Sequence, residues 1–110
     1  RRIPHVQAMG LLLTGRRIGA AEAFRLGLVN EVAAPDALDE AVNRWVGDIL
    51  ACAPLSVRAV KAMVRAGEGV SAREAQMLRL PELVEALKSE DQNEGVAAFR
   101  EKRAPNWKGR

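Results

Sequence analysis

The chain has 110 residues, 48% of them hydrophobic and only 4% aromatic, with a formal net charge of +3. That length allows one domain at most and supplies enough apolar side chains for a core, which excludes a largely disordered chain. A single cysteine, Cys52, and a single histidine, His5, exclude an internal disulfide framework and a cysteine-based zinc site and leave no basis for a metal centre.

In chain order the pattern is helical. Pro4 suits the first position of a helix, where its missing N–H costs nothing. The apolar stretch from His5 to Leu13 follows, closed by Thr14 and Gly15. Gly15-Arg16-Arg17-Ile18-Gly19 reads as a connecting turn. A phosphate cradle is the alternative, but the spacing matches neither nucleotide-binding fingerprint. Ala20 to Leu26 is a short helix stopped by Gly27, and Leu28 to Val32 a short extended piece. Pro35 and Asp36 open a long helix on which Leu38, Val42, Trp45 and Ile49 share one face. Ala53 and Pro54 end it, and Cys52, on the side of Ile49, is expected to be a small buried hydrophobe.

The next helix runs from Leu55 to Arg65, with Val57, Val60 and Val64 on its apolar face and Arg58, Lys61 and Arg65 as a basic stripe. Gly67 and Gly69 break it. Ser71 and Glu74 form a capping-box pair for a helix carrying Met77, Leu80, Leu83, Val84 and Leu87, in which Pro81 is a kink or a restart. Ser89 caps the last helix, with Glu90, Asp91 and Glu94 near the positive end of its dipole. Phe99, Lys102 and Arg103 share a face near its far end, Pro105 stops it, and Asn106 to Arg110 form a tail. The expectation is a mostly α chain of six helices and one very short strand.

Charge is unevenly placed. Residues 1 to 17 hold four basic groups and no acid, residues 100 to 110 hold five basic groups against Glu101, and the middle has a net charge of −5. Basic ends suit an anionic partner: a phosphate, a nucleotide, nucleic acid or an acidic neighbouring subunit. Solubility charge on exposed termini is the alternative. The apolar runs are too short to span a bilayer, and the start lacks the charged head and long apolar stretch of a signal peptide, so the cytoplasm is the expected compartment. The chain begins with Arg1 rather than Met, which suggests a fragment or a processed product.

No catalytic residue emerges. His5 stands alone, and capping accounts for the carboxylates at helix starts: Asp36, Glu74, Glu90 and Asp91. The best ligand candidate is Phe99-Arg100-Glu101-Lys102-Arg103. An aromatic face beside an ammonium holds a flat base by stacking while the ammonium meets a phosphate. The alternative is a core Phe beside solvated charges.

Several segments, in this order, resemble the C-terminal portion of the enoyl-CoA hydratase/isomerase (crotonase) family. They are Leu12-Leu13-Thr14-Gly15-Arg16-Arg17-Ile18, Ala20-Ala21-Glu22-Ala23, Gly27-Leu28-Val29-Asn30-Glu31-Val32, and Ala53-Pro54-Leu55-Ser56 with Lys61. Then come Ser89-Glu90-Asp91, Glu94-Gly95, Ala98-Phe99, Glu101-Lys102-Arg103 and Pro105 to Arg110. The match covers the chain, residues 1–110, and Trp107 before Lys-Gly-Arg looks most like the carnitinyl-CoA dehydratase-like branch.

The resemblance implies the helical, trimerisation-bearing C-terminal region of an α/β spiral fold. It implies a homotrimer or hexamer in the complete protein and an acyl-CoA thioester as substrate, with no other cofactor, no metal, no nucleic acid and no membrane. It also implies that the two catalytic glutamates and the oxyanion-hole donors lie upstream of Arg1. Neither Glu22 nor Glu31 is therefore assigned to those roles, and the chain alone is expected to be inactive. One pair carries over: Phe99 and Lys102 match an aromatic and a lysine of the last helix that reach the coenzyme A of the neighbouring subunit. Three functions follow as expectations. The first is part of an acyl-CoA lyase or isomerase. The second is a non-catalytic module for assembly or coenzyme A binding. The third, suggested by pI alone, is a small basic nucleic-acid binder.

Overall fold

The computed structural model describes residues 3–110. Seven α-helices follow one another: α1 (His5–Thr14), α2 (Ala20–Arg25), α3 (Leu38–Leu50), α4 (Pro54–Gly67), α5 (Ala72–Met77), α6 (Pro81–Lys88) and α7 (Glu90–Glu101). They divide between two compact units, Arg1–Val42 and Asn43–Arg110.

In the first unit Pro4 is the N-cap of α1 rather than its first helical residue, with φ −54° and ψ 140°. Gly15 closes the helix in the left-handed conformation, donating its N–H to the Leu11 carbonyl. Helix α1 is apolar around most of its circumference and buries none of its residues; Val6, Leu12 and Leu13 are each more than three-quarters exposed. The Gly15–Gly19 segment is a plain connector, in which Arg16 reaches Glu22 at 2.8 Å. Helix α2 ends on Gly27 at φ 76°, with Gly27 N–H on Phe24 O and Leu28 N–H on Ala23 O, both at 2.9 Å. That pair of bonds is a Schellman stop.

The short strand expected at Leu28–Val32 is not formed; these residues are irregular. An extended segment needs a neighbour to take up its N–H and C=O groups, and none of the described residues is in a strand. The long helix expected from Pro35 opens instead as a 3-10 turn, Pro35–Ala37, before α3 begins at Leu38.

In the second unit α4 packs on α6, with α5 beside α4 and α7 beside α6. The buried cluster is Leu55 and Ala59 of α4 with Ala86 of α6. The buried stripe of α4 is therefore not the valine face expected from spacing. Val60 and Val64 are exposed, and close approach of two alanines sets the contact instead. Pro81 restarts a helix rather than kinking one, because Leu78 to Leu80 are extended between α5 and α6. The Ser71–Glu74 capping box forms in full, with bonds of 2.8 and 3.2 Å. Cys52 is exposed rather than buried, its thiol donating to the Asp48 carbonyl at 3.3 Å. Helix α3 stops at Leu50, so Cys52 sits past its last turn, and Ile49, whose side it was expected to share, is itself exposed.

The tail from Pro105 to Arg110 does not trail away. Trp107 lies over Gly95, where an added Cβ would come within 3.3 Å of the indole. The Trp107 indole N–H donates to the Ala51 carbonyl at 2.7 Å, tying the tail to the α3–α4 connection. Asp91, only 3% exposed, accepts the Lys108 N–H at 2.7 Å and the Gly109 N–H at 2.9 Å. The Glu90 N–H in turn donates to the Arg110 carbonyl at 2.6 Å.

Much apolar surface stays uncovered. A compact monomer of this size exposes about 6,000 Å², and two separate bodies of these sizes about 7,200 Å². The chain exposes 8977 Å². Leu38, Val42, Trp45 and Ile49, the face of α3 read from spacing, are all exposed.

Candidate functional site

The C-terminal end of α7 gathers the chemistry. Ser89 starts the helix by accepting the Gln92 N–H at 3.2 Å, and the acids Glu90 and Asp91 occupy its first turn. Twelve residues later it ends in a second Schellman stop: the Lys102 N–H donates to Phe99 O at 3.3 Å and the Arg103 N–H to Ala98 O at 3.1 Å. The left-handed position of that motif is Lys102, at φ 54° and ψ 38°. Glycine fills the same position at Gly27, at φ 76°. Lys102 is the one non-glycine residue with positive φ among those described.

Phe99 is 85% exposed among the described residues. It lines a cavity of about 330 Å³ together with Ser56, Gln92, Gly95 and Trp107. Lys102 is exposed, lies outside that lining, and makes no ion pair among the described residues. The sequence places both residues at one helix end. The structure adds that Phe99 is bare and that the lysine stands just past the last turn, where the backbone swings away from the helix.

Arg103, expected on the same face as Phe99, turns back instead. Its Nη1 and Nη2 meet the two oxygens of Glu94 at 2.5 and 3.0 Å, and its Nε meets Glu101 at 2.6 Å. Glu94 also accepts the Asn106 N–H at 2.7 Å. The Arg103 fork, then the Asn106 N–H, hold the Glu94 carboxyl down to about 2, and Glu94 and Glu101 raise the already high Arg103. Glu90 is likewise held low, chiefly by a hydrogen bond from Lys108 at 3.0 Å, then by the charges of Lys108 and Arg110.

Sequence reasoning missed this clamp. Glu94 and Arg103 are nine residues apart, a spacing that no helical face brings together. Asp91 was read only as a helix-start acid; it also anchors the tail. The described residues contain no cluster of three metal-ligating side chains. Among them no helix is long and apolar enough to cross a membrane.

The comparisons agree with the pattern of motifs. All of residues 1–110 match the enoyl-CoA hydratase/isomerase family. The carnitinyl-CoA dehydratase of Proteus mirabilis is 38% identical over 100% of this chain and 44% of its own length. The (E)-benzylidenesuccinyl-CoA hydratase of Thauera aromatica is 41% identical over 99% of this chain and 43% of its own. The crystal structure of an enoyl-CoA hydratase from Mycobacterium tuberculosis H37Rv superposes with a TM-score of 0.90 at 38% identity. That match covers 99% of this chain and 43% of the other. The chain thus spans less than half the length of the relatives it matches. It belongs to the enoyl-CoA hydratase/isomerase, or crotonase, family, and its helices are those of the C-terminal part of that fold.

Proposed function

We propose that these residues serve an enoyl-CoA hydratase, dehydratase or isomerase as its helical part, contributing oligomer contacts and a contact to the coenzyme A of the substrate. The observation that carries the reading is Lys102. A left-handed non-glycine residue costs roughly 1–2 kcal/mol, and this chain puts glycine at the equivalent stop of α2. A lysine held there, beside a bare phenylalanine, fits a role for its side chain. In this reading Lys102 meets a coenzyme A phosphate as a point charge, and Phe99 borders the adenine.

The relatives' names support an acyl-CoA thioester as the substrate class. Acid–base chemistry at the α and β carbons requires no metal and no second cofactor. The catalytic glutamates and oxyanion donors belong to sequence outside these residues, so the chain alone is expected to be inactive. The uncovered apolar surface supports contacts with further residues or subunits, and family membership favours a homotrimer or hexamer of the complete protein, working in the cytoplasm on a small molecule rather than on nucleic acid or a membrane.

Lys102→Ala in the complete protein tests the coenzyme contact. KM for acyl-CoA is expected to rise about tenfold, the order of one charge-assisted hydrogen bond of about 1.5 kcal/mol, while kcat stays nearly constant. An unchanged KM refutes the assignment. The second reading, a non-catalytic module for assembly or coenzyme A binding, is favoured by the lack of any assignable catalytic residue. The intact mass of the natural protein separates the two: a mass well above that of 110 residues, with enoyl-CoA turnover, supports the enzyme.

A further inference from the structure

We infer that Glu94 and Arg103 are positioning residues for the coenzyme contact: together they lock the backbone turn at Lys102 and so aim its ammonium. The inference rests on the reading of Phe99 and Lys102 as the pair that meets coenzyme A.

Lys102 is held from both sides. Before it, the Schellman bonds to Ala98 and Phe99 fix the end of α7. After it, the chain is tied back to Glu94 twice, by both arms of the Arg103 guanidinium and by the Asn106 N–H. Glu94 sits in the middle of α7, so the anchor is part of a rigid element rather than a loop. Arg103 also meets Glu101, which places a carboxylate on each side of the turn. Rotation of Lys102 out of its left-handed state would drag Arg103 and Asn106 off Glu94. At Gly27 no such bracket is needed, because glycine adopts positive φ freely.

The geometry also specifies which residues can do this. A guanidinium presents two parallel N–H donors to a carboxylate, whereas an ammonium offers a point charge that leaves the turn free to pivot. A carboxylate at position 94 serves three donors through two oxygens; an amide oxygen serves fewer and sets an NH₂ group against the fork.

The test is a kinetic cycle in the complete protein, combining Glu94→Gln with Lys102→Ala and using an acyl-CoA and the matching acyl-pantetheine thioester. Glu94→Gln is expected to raise KM for the acyl-CoA three- to tenfold with kcat within twofold. It is expected to add nothing in the Lys102→Ala background and to leave the pantetheine substrate unaffected. An equal rise in both backgrounds, or a fall in kcat alone, overturns the positioning role. A KM unchanged by Lys102→Ala itself overturns the coenzyme reading beneath it, so the two failures are distinct. If Glu94→Gln does not fold, Arg103→Lys carries the same cycle. It keeps the charge pair and loses the fork, and its expected effect is a smaller rise with the same dependence on Lys102.

Discussion

At the scale of single residues, the proposed coenzyme contact would make Lys102 set stability against binding. Its backbone occupies a state that glycine takes at little steric cost. Lys102→Gly should therefore stabilise the folded protein by up to about 1 kcal/mol, less whatever the freer glycine adds to the unfolded chain's entropy. Under the proposed coenzyme contact, the same substitution should raise KM for acyl-CoA to the extent expected of Lys102→Ala. Denaturant melts and steady-state kinetics on one preparation read both quantities. A less stable Lys102→Gly protein would mean that the lysine side chain itself supports the turn. The pairing of an aromatic, Phe99, with an ammonium, Lys102, three positions apart was legible from residue types. Their backbone setting was not. Helix stops are read from glycine and proline, and here the stopping residue is a lysine with its proline, Pro105, three positions on.

At the scale of elements, α7 and the tail behave as one piece, and acid should separate them. Glu94 and Glu90 are both held below the ordinary carboxylate range in the folded state. A group with a depressed folded value stabilises the fold above its unfolded value near 4.3 and loses that contribution as pH falls toward the folded one. For Glu94 the window runs from about pH 4.5 down to about 2. Tail docking, followed through the Trp107 indole proton by NMR, should hold above that window and fail progressively inside it. Glu94→Gln should show the loss already at neutral pH, and a wild-type tail that stays docked at pH 2 would count against the clamp as its fastening. Helix existence was largely readable here. The Ser71 and Ser89 caps, the Gly15 and Gly27 stops and the Pro81 restart all lie in local chemistry. Partnerships were not. The valine face of α4 is a true helical stripe, yet the buried contact runs through Leu55 and Ala59, because small side chains let α4 and α6 approach. Periodicity locates a stripe without saying which neighbour arrives. The Leu28–Val32 piece failed for a related reason: its apolar residues fit a strand, and no described residue is in a strand that could pair with it.

At the scale of the whole molecule, the uncovered surface is the dominant fact. A helix that is apolar all round, as α1 nearly is, belongs inside something larger. The α3 stripe from Leu38 to Ile49 is a single amphipathic face that stays about half exposed among the described residues. Burying the apolar part of the excess exposure would be stabilising, at about 25 cal/mol per Å² of apolar surface. These 110 residues, expressed alone, should therefore associate and bind a hydrophobic dye, while the complete protein should bind less of it. Light scattering and dye fluorescence compare the two, and a monomeric, dye-silent fragment would show that the exposed faces need no partner. Fold class and family were legible from the order of motifs; the extent of the bare surface was not, since hydrophobic spacing is the same whether a face is covered or open.

The docked tail has a consequence for genetics. Deleting the residues from Asn106 to Arg110 removes no candidate ligand residue and no helix. Yet it erases the indole bond to Ala51, both N–H donors to Asp91, the Lys108 and Arg110 contacts to Glu90, and one of the ties on Glu94. It also leaves a buried carboxylate at Asp91 with neither of those donors. A truncation that looks silent on a map of conserved chemistry would therefore be read by the cell as a damaged protein. Its first symptom would be lowered abundance rather than an altered substrate preference.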